Sequence, residues 1–208
     1  MNRLAVAATI AVLGIQPVKA TITVVASPVP SSDLSIFDGL AANTMVSPGN
    51  LTLRGLNFNG TGLIFNGSFD GIAAQPAFTT DNYMAVLAGH SESITLENPA
   101  STFRMVLGSV DLYNTITVDG SAFTGSDLQT LTGVVPDGNQ ASPLSNVELS
   151  FTGSGGKIDQ ILVTSSGNSA EFIPTGVPEP STWAMLILGF ASLAWVGARK
   201  ARTARHAI

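Results

Sequence analysis

Cysteine is absent from this 208-residue chain, and histidine occurs only at His90 and His206. The first absence excludes disulfide bonds, thiolate metal sites and cysteine nucleophiles, so the fold must be stabilised by its core. The second leaves a serine triad without support, because His90 lies between Gly89 and Ser91 with none of the glycine spacing of a nucleophile elbow. We therefore expect a protein that is not an enzyme.

Positive charge is scarce in the middle of the chain. All 14 acidic residues lie between Asp33 and Glu179, and the cations in that interval are Arg54, Arg104 and Lys157, which gives it a formal charge of −11. Such a surface repels phosphate groups, so we expect no binding to nucleic acid. Tryptophan is also absent from residues 21–175, which leaves few aromatic platforms for stacking on sugars.

The first 20 residues have the layout of a secretory signal peptide. Arg3 forms a short basic start, an apolar stretch follows from Leu4 to Ile15, and small residues surround Lys19. The apolar stretch is too short for a permanent membrane span, and we predict cleavage after Ala20.

An uncharged segment near the other end predicts a transmembrane helix over residues 181–198. Its roughly 18 residues give about 27 Å of helix, which just crosses a bilayer. Trp183 and Trp195 lie near its two ends, where indole rings settle at membrane interfaces. The basic tail, residues 199–208, marks the cytoplasmic side through Arg199, Lys200, Arg202 and Arg205.

Pro178, Glu179 and Pro180 precede this segment. The two prolines fix φ and remove two N–H donors, so the tripeptide is a stiff, extended element that cannot join the helix. With Trp183 and Ala184, the apolar run and the basic cluster, residues 176–208 resemble the PEP-CTERM sorting domain of Gram-negative bacteria, in its PEPxxWA subtype. The resemblance implies recognition of Pro178, Glu179 and Pro180 by an exosortase, a membrane protease that removes the tail.

Residues 21–175 are predicted to form one antiparallel β-sandwich of the jelly-roll type, with a single closed sheet as the alternative. Apolar and polar residues alternate in Val147–Phe151, Thr102–Leu107 and Thr115–Val118, as half-buried strands require. Asp119-Gly120 is a type I′ hairpin signal. Tyr83–Leu87 and residues 93–96 supply further strands, and most of the phenylalanines are expected in the core.

Two segments of this region resemble the passenger domain of a group of exosortase-dependent surface proteins. The first contains Gly108, Ser109, Asp111, Tyr113 and Asn114, and the second contains Ser165, Ser166, Asn168, Glu171 and Phe172. Leu107 stands where an aromatic residue is expected. The resemblance implies a surface protein without a defined biochemical activity.

No motif indicates a cofactor, and calcium alone has candidate ligands. Asp111 and Asn114 lie in one predicted turn beside Asp119, and oxygen ligands from such loops suit Ca²⁺. The alternative interpretation is that these side chains cap a tight turn.

Together these patterns predict an exported cell-surface or extracellular-matrix protein with a structural or adhesive role, associated with exopolysaccharide. Its expected partners are the Sec translocon, signal peptidase and exosortase, with the inner membrane holding the C-terminal helix before processing. Two alternatives remain open. One is a secreted polysaccharide hydrolase that uses paired carboxylates, whose positions spacing alone cannot select. The other is an unprocessed periplasmic domain that stays anchored in the membrane.

Overall fold

The computed structural model describes residues 20–30, 34–45, 51–176 and 190. In these ranges the chain forms thirteen strands, a 3-10 turn and one α-helix. The strands are β1 (Thr21–Pro28), β2 (Thr44–Met45), β3 (Leu51–Leu53), β4 (Leu56–Gly60), β5 (Leu63–Phe65), β6 (Tyr83–Leu87), β7 (Ser91–Ala100), β8 (Thr102–Gly108), β9 (Asn114–Val118), β10 (Ser121–Thr124), β11 (Val147–Ser154), β12 (Ile158–Ser165) and β13 (Ser169–Gly176). The 3-10 turn is Ser35–Phe37, and helix α1 is Gly125–Thr132.

The strands form two antiparallel sheets. The first has the order β1-β11-β8-β13-β6-β5-β2, and the second has the order β10-β9-β12-β7-β4-β3. Buried residues of both sheets belong to one hydrophobic cluster. Phe123 of β10 and Phe151 of β11 meet across the interface, with ring centroids 5.5 Å apart. The all-β sandwich predicted from the sequence is therefore confirmed.

The last eight strands have jelly-roll connectivity. β6 pairs with β13, β7 with β12, β8 with β11, and β9 with β10. The first strand of this set thus pairs with the last, the second with the second-last, and so inwards. Wrapping such a double ribbon around a core produces a jelly roll, in which successive strands alternate between two sheets except at the central hairpin, here β9 and β10.

Local turn signals were mostly right about where strands end. Asp119 and Gly120 have φ of 46° and 78°, as a type I′ turn requires, and they join the paired strands β9 and β10. Gly155-Gly156 also follows the end of a strand, at Ser154, but it does not join paired strands. β11 and β12 lie in different sheets, so this turn carries the chain across the sandwich.

The strand registers define two ends of the sandwich. At one end, which we call the base, β1 begins at Thr21 opposite Ser154, and the small side chain of Ala20 packs on Gly156. β13 runs towards the base and ends at Gly176 opposite Arg104. The other end, which we call the top, contains the ends or beginnings of strands at Pro28, Gly108, Val147 and Ser169.

Candidate binding cavity

A polar cavity of about 270 Å³ opens at the top of the sandwich. Its wall comes from the loop at 68–74 after β5, the turn after β8, residues 137, 138 and 140, and the beginning of β13. These segments are far apart in sequence. They meet here because β8 and β13 are neighbours in the first sheet and both have an end at the top.

Glu171 forms the inner part of the cavity wall, with only 2% of its surface exposed. Its Oε1 accepts a hydrogen bond of 3.0 Å from the Ala74 amide and contacts Ser169 Oγ, while its Oε2 accepts one of 3.3 Å from Ser109 Oγ. Burial raises the pKa of Glu171, and these hydrogen bonds oppose the rise only in part. A buried carboxyl with a raised pKa favours the neutral form.

The Ser169 hydroxyl links Glu171 to the loop 68–74. Ser169 Oγ has one proton and two acceptors within reach, Oε1 of Glu171 and the carbonyl oxygen of Ile72 at 2.8 Å. When Glu171 carries a proton it donates to Ser169 Oγ, and Ser169 donates to Ile72. All three groups are then satisfied, and the loop 68–74 is tied to β13.

Ser109 is held in an uncommon backbone conformation at the cavity wall. Its φ is 38°, in the left-handed region that few residues other than glycine adopt. The buried side chain of Asn146 accepts hydrogen bonds from the amides of Ser109, at 3.1 Å, and Ala77, at 2.9 Å. The Asn146 side chain and the Glu171 carboxyl together fix the turn that follows β8.

Tyr113 and Asp111 form the outer part of the cavity wall. The Tyr113 hydroxyl interacts with the Asp111 carboxylate, and burial raises the pKa of both groups. The negative charge of Asp137 raises the pKa of Asp111 further, because an antiparallel bridge brings these two residues together. A Cβ on Gly138 would lie 2.5 Å from Asp111 Oδ1, and one on Gly167 would lie 2.4 Å from the Tyr113 ring. Both glycines are therefore required by close packing.

The charged side chains that line the cavity are all acidic among the residues that the structure describes. They are Asp70, Asp111, Asp137 and Glu171, and no lysine, arginine or histidine accompanies them. His90 lies elsewhere, where its Nδ1 is 3.0 Å from Thr61 Oγ1. The cavity thus disfavours anionic ligands.

The predicted calcium ligands do not form one site, so that grouping is wrong. Asp119 lies towards the base, where its Oδ1 accepts from the amides of Asp159 at 3.1 Å and Gln160 at 2.9 Å. Asn114 begins β9, so the five-residue strand separates it from Asp119 by about 16 Å. Asn114 is also 1% exposed and absent from the cavity wall. Within the described ranges, no group of three or more His, Cys, Asp or Glu side chains could hold a metal ion.

The two predicted passenger segments do meet at the cavity. Ser109, Asp111 and Tyr113 of the first segment and Asn168 and Glu171 of the second belong to its wall. The contribution of residues 68–74 and 137–140 was missed. Those stretches show only turn signals, such as Asp70-Gly71 and Asp137-Gly138, which do not predict which surface a loop will cover.

Most of the predicted export signals fall outside the described residues. This holds for the signal peptide before Ala20, for Pro178, Glu179, Pro180, Trp183 and Ala184, and for the basic residues Arg199, Lys200, Arg202 and Arg205. It also holds for the predicted span 181–198 apart from residue 190. Among the helices that the described ranges contain, none has the length and apolar composition for a membrane crossing.

Comparison with known families identifies a sorting motif in the tail. Residues 176–202 match the family model of the PEP-CTERM protein-sorting motif, the signal of an exported protein that an exosortase processes. The chain therefore carries a PEP-CTERM sorting motif, which confirms the predicted resemblance; the PEPxxWA subtype stays a prediction. Neither curated proteins nor solved structures gave a match.

Proposed function

We propose that this chain is a non-enzymatic surface or extracellular-matrix protein with a structural or adhesive role, associated with exopolysaccharide. The observation that carries the proposal is that the two ends of the sandwich differ: one is the base and the other carries the cavity. β1 begins at the base and β13 runs towards it, while the cavity lies at the top. β13 is eight residues long, about 26 Å, so the cavity and the exit towards the sorting motif are at opposite ends of one strand.

This arrangement of the two ends suits a protein that is held at a membrane and then displayed outside the cell. Pro178 follows the last residue of β13 by two positions, so an exosortase acting there approaches the base. The predicted cleavage after Ala20, by signal peptidase after Sec export, also concerns the base. The top faces away from both processing events and is the end that can meet material outside the cell.

Processing is tested by determining both ends of the mature protein by mass spectrometry, in cell-surface and medium fractions. We expect a mature chain that begins at Thr21 and has lost the tail near Pro178. Replacing Pro178, Glu179 and Pro180 by alanine should leave the tail attached and hold the protein in the membrane, since the stiff recognition element is gone. Pro143→Ala, in an exposed loop, is the matched control and should be processed like the wild type. A wild-type chain that retains Ile208 in the membrane fraction would instead support the unprocessed, anchored domain.

A hydrolase is the second candidate, because Glu171 and Asp111 share one cavity and both have a raised pKa. A neutral acid near an ionised carboxylate is the arrangement of a glycoside hydrolase. The contacts of Glu171 favour the non-enzymatic role, since the protein itself satisfies its carboxyl. Turnover of a polysaccharide panel that Glu171→Gln and Asp111→Asn both abolish would favour the hydrolase, and no turnover by the wild type would exclude it for that panel.

A further inference from the structure

We propose that the cavity at the top of the jelly roll is a binding site for one neutral saccharide unit of a surface polysaccharide. The proposal rests on the proposed surface role and specifies its ligand. It is carried by the shape, polarity and charge of the cavity wall.

The size of the cavity fits a single sugar unit. Its volume of about 270 Å³ lies just below the roughly 300 Å³ at which pockets for small molecules begin. A ligand that enters it is therefore smaller than most cofactors. A chain could extend out of the cavity over the top of the sandwich while one unit is held inside.

The wall offers the mixture of donors and acceptors that hydroxyl groups require. Asn168 and Gln140 carry amides that both donate and accept, and Asp111 and Asp137 carry accepting carboxylates. Sugar hydroxyls both donate and accept, so they can pair with each of these groups. Purely apolar ligands would leave the same groups unpaired, which is costly.

The charge of the wall selects against acidic sugars. Its described charged residues are all acidic, so a uronic acid, sulfate or phosphate group would be repelled. The acids are also not arranged for a metal ion. Asp111 interacts with the Tyr113 hydroxyl, Glu171 accepts hydrogen bonds from Ser109 and Ala74, and the described residues contain no group of three or more possible metal ligands. A neutral sugar meets these acceptors without adding charge.

Tyr113 supplies an aromatic ring with a polar hydroxyl to the cavity wall, which Phe69 also lines. Its ring belongs to the cavity wall and is packed against Gly167, so its position is set by the backbone. A tyrosine side chain combines an apolar ring with a polar hydroxyl. The C–H groups of a sugar can pack on the ring while its hydroxyls bond to Asp111 and its neighbours.

The test uses the mature protein purified from the surface or medium fraction. Binding is measured by calorimetry against neutral hexose and N-acetylhexosamine oligosaccharides, uronic acid oligosaccharides and calcium chloride, each separately. We expect a neutral oligosaccharide to bind and to raise the melting temperature. Asp111→Asn and Tyr113→Ala should weaken that binding about tenfold or more through lost hydrogen bonds and packing. Asp159→Asn removes the same charge from an exposed position near the base and should bind like the wild type.

Gly167→Ala tests the position of the ring without changing any side chain of the wall. The added Cβ must displace Tyr113, so binding should fall while the melting temperature of the free protein shows whether the fold persists. Tyr113→Phe is the milder partner variant and should retain more binding than Tyr113→Ala. The proposal is overturned if no neutral oligosaccharide of the panel binds the wild type, if uronic acids bind best, or if calcium alone gives the response that Asp111→Asn removes. None of these outcomes affects the mature chain ends, which test the surface role separately.

Discussion

Glu92 shows how a single residue creates a pH dependence in this fold. Its side chain is 0% exposed and lies beneath Gly60 and Gly62, where an added Cβ would come within 2.6 Å and 2.9 Å of Oε2. Oε2 accepts a hydrogen bond of 2.8 Å from the Gly62 amide, whereas Oε1 has no partner in the described part of the chain. Burial raises the pKa of Glu92 to about 7, although amide donors oppose the rise.

We expect Glu92→Gln to remove this pH dependence. A raised pKa means that the folded state prefers the neutral carboxyl, so the stability that Glu92 contributes is fully present below its ordinary pKa of about 4.5 and is lost as the pH rises through about 7. Glutamine keeps one acceptor for the Gly62 amide and does not ionise. At pH 8 the variant should therefore be more stable, by roughly 1–2 kcal/mol after solvent screening, and at pH 5 the two should be similar. Urea unfolding at both values measures this, with Glu97→Gln on the exposed part of β7 as control. A stability gap that does not change with pH would contradict the assignment.

At the residue scale, the sequence predicts the environment of a side chain only when residues close to it in the chain form that environment. Asp119 could be assigned to a turn because Gly120 follows it directly. Glu171 could not be recognised as a buried acid with a raised pKa. Its partners Ala74 and Ser109 lie 97 and 62 residues away.

Helix α1 is the element whose local signals are most complete. Thr124 is its N-cap, and the capping box is formed by Thr124 Oγ1 accepting from the Asp127 amide while Asp127 Oδ2 accepts from the Thr124 amide at 2.9 Å. The helix ends at Thr132, because Gly133 closes it in the left-handed conformation at φ 80°.

Thr124→Ala should destabilise the protein by about 1 kcal/mol, since the first turn of α1 loses an acceptor for its amides. Thr130→Ala is the matched control. Thr130 is exposed, and its hydroxyl bonds only to the carbonyl of Ser126 at 2.9 Å, a contact that contributes little to a helix. Chemical denaturation of both variants gives the comparison. Equal losses in the two would show that the cap does not stabilise the folded state.

Strands were easier to predict than their connections. The alternation in 102–107 and 147–151 identified β8 and β11, yet nothing in it showed that these strands pair with each other. Two turns of similar composition connect their strands in different ways. Asp119-Gly120 joins neighbours in one sheet, while Gly155-Gly156 crosses to the other sheet, because β11 pairs with β1 and β8 whereas β12 pairs with β7 and β9.

At the scale of the whole molecule, aromatic packing joins the two sheets. Seven phenylalanines are buried: Phe37, Phe58, Phe65, Phe103, Phe123, Phe151 and Phe172. The expectation that phenylalanine forms the core is thus largely confirmed, and Phe78, which is 65% exposed, is an exception. The sandwich depends on contacts such as Phe123 with Phe151, which belong to different sheets.

Phe151→Ala should cost about 3–5 kcal/mol, because it leaves a cavity between the sheets and removes the contact with Phe123. Phe78→Ala serves as control and should change the stability by no more than about 0.5 kcal/mol. The denaturant midpoints of the two variants should differ accordingly. A small loss for Phe151→Ala would mean that the two sheets are not stabilised by this shared contact.

By itself, the sequence determined the sorting signal, the β class and most strand positions. These depend on short-range patterns: the spacing of prolines, cations and apolar runs, and the two-residue period of a half-buried strand. Tertiary structure alone decided the strand partners, the cavity and its location opposite the base. Pairing in a jelly roll brings together segments that are distant in the chain, and the partner of a strand is selected by the packing of both sheets around one core.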